Sequence, residues 1–355
     1  MNRQLLINTI ASILVFTTVL TNLHAQTDEE SGFGRKEHIE LAAKAIKTLK
    51  ITNKHGNISI IGWDRDSISI ETLINVNSDG PKAADEVLNF ISIKRSNLGD
   101  QLLFRTQFNS EFFSNYPFSI SYTIHAPKYM NLDISNSIGN VLIHEIDGQV
   151  DMNQAYGNMH LNQLGAPPSI QHHLNLSFVE GKIEGIGAIT PLLLNSNLSV
   201  KNLTSCKGET KYSLLEIDNC QSIQLKSTTD RITINQADSV SINGIQVLAK
   251  VNDLSEFGFF EIEEGHLTVQ ANNQVQHLSI GNHSTHTTIG LPSNFTYLLN
   301  GEVTDGLFTH PQKNQLQLIN EEEKVSFSGK VGPSPQASAE IIVFNSSSEL
   351  TFQTY

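Results

Sequence analysis

The chain has 355 residues, with 23 Lys and Arg against 36 Asp and Glu, a formal charge of −13. That acid excess excludes the basic stripe of a nucleic-acid binder, so no nucleic-acid partner is expected. Charged residues are only 17% of the chain, which excludes a charged disordered tail, and uncharged polar residues, Asn above all, fill the difference.

Residues 1–25 read as a secretory signal peptide: Arg3 is the positive start, residues 5–20 are the apolar run, and Leu23-His24-Ala25 is a cleavage site before Gln26. The alternative is a membrane anchor, but Asn8, Thr9, Ser12, Thr17 and Thr18 interrupt the run, which falls short of the roughly 20 apolar residues a span needs. The only cysteines are Cys206 and Cys220, so no lipid-carrying Cys follows the cleavage point. The expectation is an exported mature chain without a transmembrane segment, residing in the periplasm, on the cell surface or outside the cell.

Residues 26–37, acidic and without periodicity, read as a flexible lead-in. Residues 38–130 read as an N-terminal β portion, because Leu49-Lys50-Ile51, Ile58-Ser59-Ile60 and Phe118 to Ile124 alternate apolar and polar residues. Within it, Pro81 followed by Ala84, Val87 and Leu88 predicts a short helix over 82–90.

Over residues 131–295 one apolar template recurs at a spacing of about 17 or 18 residues. Leu215, Ile217, Cys220, Ile223 and Leu225 superpose on Ile232, Ile234, Ala237, Val240 and Ile242 at 17 residues without a gap. Units this short cannot bury their own apolar side, so burial must come from stacking them. Roughly nine such units at about 4.8 Å each give a column on the order of 45 Å long. The predicted fold is therefore all-β, a β-solenoid resembling a right-handed parallel β-helix, with Asn, Gly, Ser and Asp at its corners. The alternative is an antiparallel β-sandwich, which has no reason to repeat at one fixed spacing. Residues 296–355, with strand patterns at 297–299, 325–327 and 341–344, read as a cap of the same domain.

The motifs Gly56-Asn57-Ile58-Ser59-Ile60-Ile61-Gly62-Trp63-Asp64, Tyr122-Thr123-Ile124-His125-Ala126-Pro127 and Asn136-Ser137-Ile138-Gly139-Asn140-Val141 stand in this order. With them the chain resembles the exported bacterial β-solenoid domains grouped as adhesins, a domain of unknown function. The resemblance covers most of residues 49–352 and departs at Pro167-Pro168 and over 244–259. It implies an adhesive or scaffold role, no cofactor and no catalytic residues, with a cell-surface glycan or envelope protein as partner.

Asp133 and Asp151 fall in one outward column, one coil apart, with Gln171 next and no Lys or Arg set beside them by the pattern. Stacked carboxylates repel and can hold a hard cation or share a proton, which makes them the candidate binding pair. The same pair is the candidate machinery of the alternative function, a polysaccharide lyase or glycoside hydrolase. No His-Glu-x-x-His or Cys-x-x-Cys spacing exists, so His277, His283 and His286 are only weak metal candidates. Cys206 aligns with Ile223 and Cys220 with Leu203, an offset that exceeds the roughly 7 Å bridge limit; a disulfide and two buried thiols remain the alternatives. Trp63 shares a column with Ile146 and Leu164 and is expected to plug the core's N-terminal end.

Overall fold

The computed structural model describes residues 32–165, 170–185 and 187–355. The expected signal peptide at 1–25, the start of the lead-in and the Pro167-Pro168 insertion lie outside the described residues. Among those described, 24 strands join in one hydrogen-bonded sheet, with one α-helix, Pro81–Leu88, and one 3-10 turn, Lys313–Gln315. Pro81 opens the helix, where its fixed φ suits the first turn, and Ala84, Val87 and Leu88 form its buried side.

The centre of the molecule is a parallel ladder. Strands Asn197–Lys211, Leu214–Thr228, Arg231–Ile245 and Leu248–Ala271 follow one another in sequence and lie side by side. Each bends through two faces, so Leu198, Leu215, Ile232 and Ala249 align on one while Cys206, Ile223 and Val240 align on the other. The step between these partners is the 17-residue period, and all five aligned pairs of the template are register partners. The first face continues as Asn131–Ile138, Val150–Asn162, Gln171–Ser177 and Ala188–Leu194 on one side and His277–Leu291 on the other.

Magnitudes explain why the coils stack. One coil contributes about five apolar side chains at roughly 2 kcal/mol each on burial, while ordering about 17 residues costs 1–2 kcal/mol apiece in backbone entropy. A coil alone cannot fold. Between neighbours, the inward column Leu49, Leu132, Val150, His172, Ile189, Cys206, Ile223 and Val240 is buried throughout.

Corners repeat with the same step. Phe178, Asn195, Tyr212, Thr229 and Gln246, 17 residues apart, all have positive φ, between 48° and 58°. Earlier coils use glycine, with φ of 124°, 130° and 122° at Gly56, Gly139 and Gly157. A Cβ on Gly139 would lie 2.1 Å from the Gly56 carbonyl oxygen, and one on Gly157 would lie 2.3 Å from that of Gly139. The Asn after each glycine explains the Gly-Asn motif. Asn140 donates its backbone N–H to Asn57 Oδ1, and Asn158 donates to Asn140 Oδ1, both at 2.9 Å.

Antiparallel pairs are confined to the two ends. At the N-terminal end, Thr48–His55 and Ile58–Trp63 join the parallel ladder, and the hairpin Ile91–Leu98/Gln101–Phe108 extends one face. Strands Phe118–Pro127, Ser67–Val76 and Phe33–Ala42 extend the other. At the C-terminal end, Ala339–Ser346 inserts between His277–Leu291 and Tyr297–Thr304, so spatial order departs from chain order. Lys324–Val331 then pairs antiparallel with Tyr297–Thr304.

Two expectations need correction. The flexible lead-in does not extend to residue 37, because Phe33 to Glu37 already pair with Val76 to Thr72. Charged residues on this edge strand hid its alternation. Nor does Trp63 plug the core: the inward position of its strand is Gly62, where a Cβ would meet the Glu145 carbonyl oxygen at 1.7 Å. Trp63 is half-buried on the outside, stacked on His125 with the Arg65 guanidinium 4.8 Å from its ring, and donates its indole N–H to Ser67 O.

Candidate functional site

Asp133 and Asp151 project from the outward side of the first face as direct register partners. Alternation places them there, since Leu132 and Ile134, and Val150 and Met152, turn inward. Parallel strands are about 4.8 Å apart, which sets the spacing of the two residues along the column. The structure then corrects both neighbours expected for them. Lys50, on the N-terminal strand that pairs with Asn131–Ile138, reaches Asp133 Oδ2 at 2.5 Å. On the other side the column continues to His173, not Gln171, because the loop before it is longer than one repeat allows.

Each carboxylate has its own partner. Asp133 takes the Lys50 ammonium, and Asp151 takes both hydrogen bonds of the Gln149 amide, at 2.9 and 3.1 Å. The Lys50–Asp133 pair is about one-third exposed, so it contributes no more than about 1 kcal/mol to stability. Asp151 and His173 line a shallow groove of about 240 Å³, whereas Asp133 lies outside it. Both acids stand side by side on one face. A glycosidase pair must flank the scissile bond from opposite sides, so this arrangement offers cation or hydroxyl recognition more readily than bond cleavage.

The three histidines of the weak metal candidate are not brought together. His277 faces Glu340, with Nδ1 3.5 Å from Oε2; His283 Nδ1 meets Ser346 Oγ at 2.8 Å; His286 packs on His266 at 5.0 Å between ring centres. Among the described residues no group of three or more His, Cys, Asp or Glu side chains is placed to hold a metal ion.

Cys206 and Cys220 are both free and buried. Their register partners are Ile223 and Leu203. Burial pushes the Cys206 thiol well above its ordinary pKa and that of Cys220 up to about 12, and Cys220 donates to Ser222 O. Both thiols are therefore expected to resist a thiol reagent in the folded protein, while two react in denaturant without reductant. A titration of none in denaturant would establish a bridge instead.

Sequence reasoning missed two buried imidazoles. His172 occupies the apolar column between Val150 and Ile189, and its Nδ1 accepts the Val150 backbone N–H at 3.1 Å. His310 accepts the Gln312 N–H at Nδ1 and meets the Tyr297 hydroxyl through Nε2 at 2.9 Å. Burial lowers each pKa to about 4. The signal for His172 was present, since a template position otherwise filled by Val or Ile held a His.

No helix among the described residues is long and apolar enough to cross a membrane. No protein-family model and no curated protein matches the chain. Among solved structures it is similar to a putative cell adhesion protein from Clostridium sporogenes, at 10% identity over 91% of this chain and 100% of that one, with a TM-score of 0.21. It is also similar to a putative lipid binding protein from Parabacteroides distasonis, at 10% identity over 91% and 98% of the two chains, TM-score 0.30. A putative adhesin from Parabacteroides merdae is 9% identical over 91% and 98%, TM-score 0.25. Likenesses this distant assign neither a ligand nor an activity to this chain.

Proposed function

We propose that the chain is an exported β-solenoid that works as a non-catalytic binding module, an adhesin or envelope scaffold whose partner is a cell-surface glycan or envelope protein. The observation that carries this reading is the state of the two column acids. Asp133 and Asp151 are each engaged by a neighbour from their own chain, on one exposed face, with no opposing acid across a cleft. Parallel stacking supports the same reading, because it presents long columns of equivalent outward side chains to a partner.

The test is a glycan and surface-protein binding array probed with the mature chain, with and without calcium, beside its Asp133→Asn/Asp151→Asn variant. Binding without turnover, unchanged in the variant apart from local cation affinity, is the expected result. Glycan cleavage that the double substitution abolishes would replace the module with a carbohydrate-active enzyme.

A further inference from the structure

The first face carries a notch near its C-terminal end. Along one outward column Asn243 pairs with Glu261, and two coils further Phe344 pairs with Glu302; between Glu261 and Phe344 the position is Gly281. Nothing in the backbone requires glycine there. Its φ is not positive, and an added Cβ would find only Glu261 Cγ, at 3.9 Å. The missing side chain leaves Glu261 and Phe344 about 10 Å apart, two coil steps, with an open slot between them. Two clefts, of about 510 and 410 Å³, meet at this slot and share Asn243, Glu261, Gly281 and Phe344.

The chemistry of the walls is one-sided. Glu261, Glu263 and Glu302 supply three carboxylates, and neither cleft is lined by Lys or Arg. Only Glu302 has a basic neighbour, Lys324 at 3.7 Å, while Glu261 accepts a hydrogen bond from the neutral Asn243 amide. Phe259 and Phe344 leave 47% and 53% of their surface exposed beside these acids. Carboxylates next to exposed aromatic rings favour a cation that can hydrogen-bond in a plane and lie against a ring.

Resting on the binding-module reading, we propose that the Gly281 notch receives an arginine side chain of a protein partner, its guanidinium filling the missing position between Glu261 and Phe344. Arginine fits better than lysine because its flat fork can bond a carboxylate while its face rests on the ring, whereas an ammonium is a strongly hydrated point charge.

The test is fluorescence anisotropy of labelled hexa-arginine, hexalysine and Gly-Ser peptides with the full chain. Gly281→Gln fills the notch where there is room, so it folds, and a thermal melt checks this. Expected are binding of hexa-arginine above hexalysine, no binding of the Gly-Ser peptide, and a loss of about tenfold with Gly281→Gln or Glu261→Gln. Glu216→Gln, an equal charge change on the second face, should leave binding within about twofold. No hexa-arginine binding, an unaffected Gly281→Gln protein, or an equal loss in Glu216→Gln overturns the proposal. An array partner retained by Gly281→Gln overturns the notch but leaves the module reading intact, and turnover by the intact chain overturns the module reading whatever the peptides do.

Discussion

The urea midpoint of the protein is expected to fall steadily as pH is lowered from 6.5 towards 5, and to stay level above 7. His172 and His310 are nearly or fully buried, and each uses Nδ1 as an acceptor for a backbone N–H. Protonation would set a second donor against that N–H, and it would place a charge among apolar side chains. Burial accordingly lowers both pKa values to about 4, from an ordinary value of 6.5. The unfolded chain binds these protons below pH 6.5 and the folded chain does not until about pH 4. The stability they confer is therefore complete above 6.5 and is lost as pH falls through that window. Each histidine contributes up to about 1.4 kcal/mol per pH unit, on the order of 3 kcal/mol in all, against a total of about 5–15 kcal/mol for an ordinary domain. Urea titrations at half-unit steps down to pH 5 read the slope before ordinary carboxylates titrate. His310→Gln should halve the slope while lowering stability at pH 7. A midpoint that is flat from pH 7 to 5 would show that neither imidazole is held neutral.

How legible these features were in the sequence depended on whether they obeyed the period. The inward columns from Leu215 to Ile242 could be aligned residue for residue, because no insertion separates those coils. The Asp133–Asp151 pair was legible for the same reason. Its two flanks were not. Lys50 lies 83 residues before Asp133, with the helix and two hairpin-forming strands between them, and only the shared Leu-x-Ile pattern of Leu49-Lys50-Ile51 and Leu132-Asp133-Ile134 hints that they stack. His173 was displaced from the column by the longer connection that precedes it. The notch at Gly281 was hidden by the same mechanism, since the steps from Val240 to Gly258 and on to Leu278 exceed 17 residues and break the outward alignment. Hydrophobic spacing reports which side chains must point inward. It says less about outward neighbours, which depend on loop lengths and on strands inserted from distant parts of the chain, as Ala339–Ser346 is.

Asp230→Ala is expected to cost about 3–5 kcal/mol, the largest effect of any single substitution proposed for this protein. The reason lies in a ladder at one corner of the coils. Ser196 Oγ accepts the Val179 N–H, Ser213 Oγ accepts the Ser196 N–H, and Asp230 Oδ1 accepts the Ser213 N–H, each step spanning 17 residues. Asp230 is buried, and its second oxygen also accepts from Thr210 Oγ1, Ser227 Oγ and the Thr228 N–H. Four donors converge on one carboxylate, which compensates its removal from water. Alanine would leave all four facing an apolar methyl, and each orphaned buried donor costs roughly 1–3 kcal/mol before relaxation. Asp230→Ser is the informative partner, because it extends the Ser196–Ser213 pattern by one coil and can still accept the Ser213 N–H. Its expected cost is about 1–2 kcal/mol. Urea unfolding of both variants at pH 7.5, above the histidine window, measures the difference. If Asp230→Ala lies within about 1 kcal/mol of the parent chain, the four bonds do not compensate a buried charge and the corner is held by the left-handed turn at Thr229 alone.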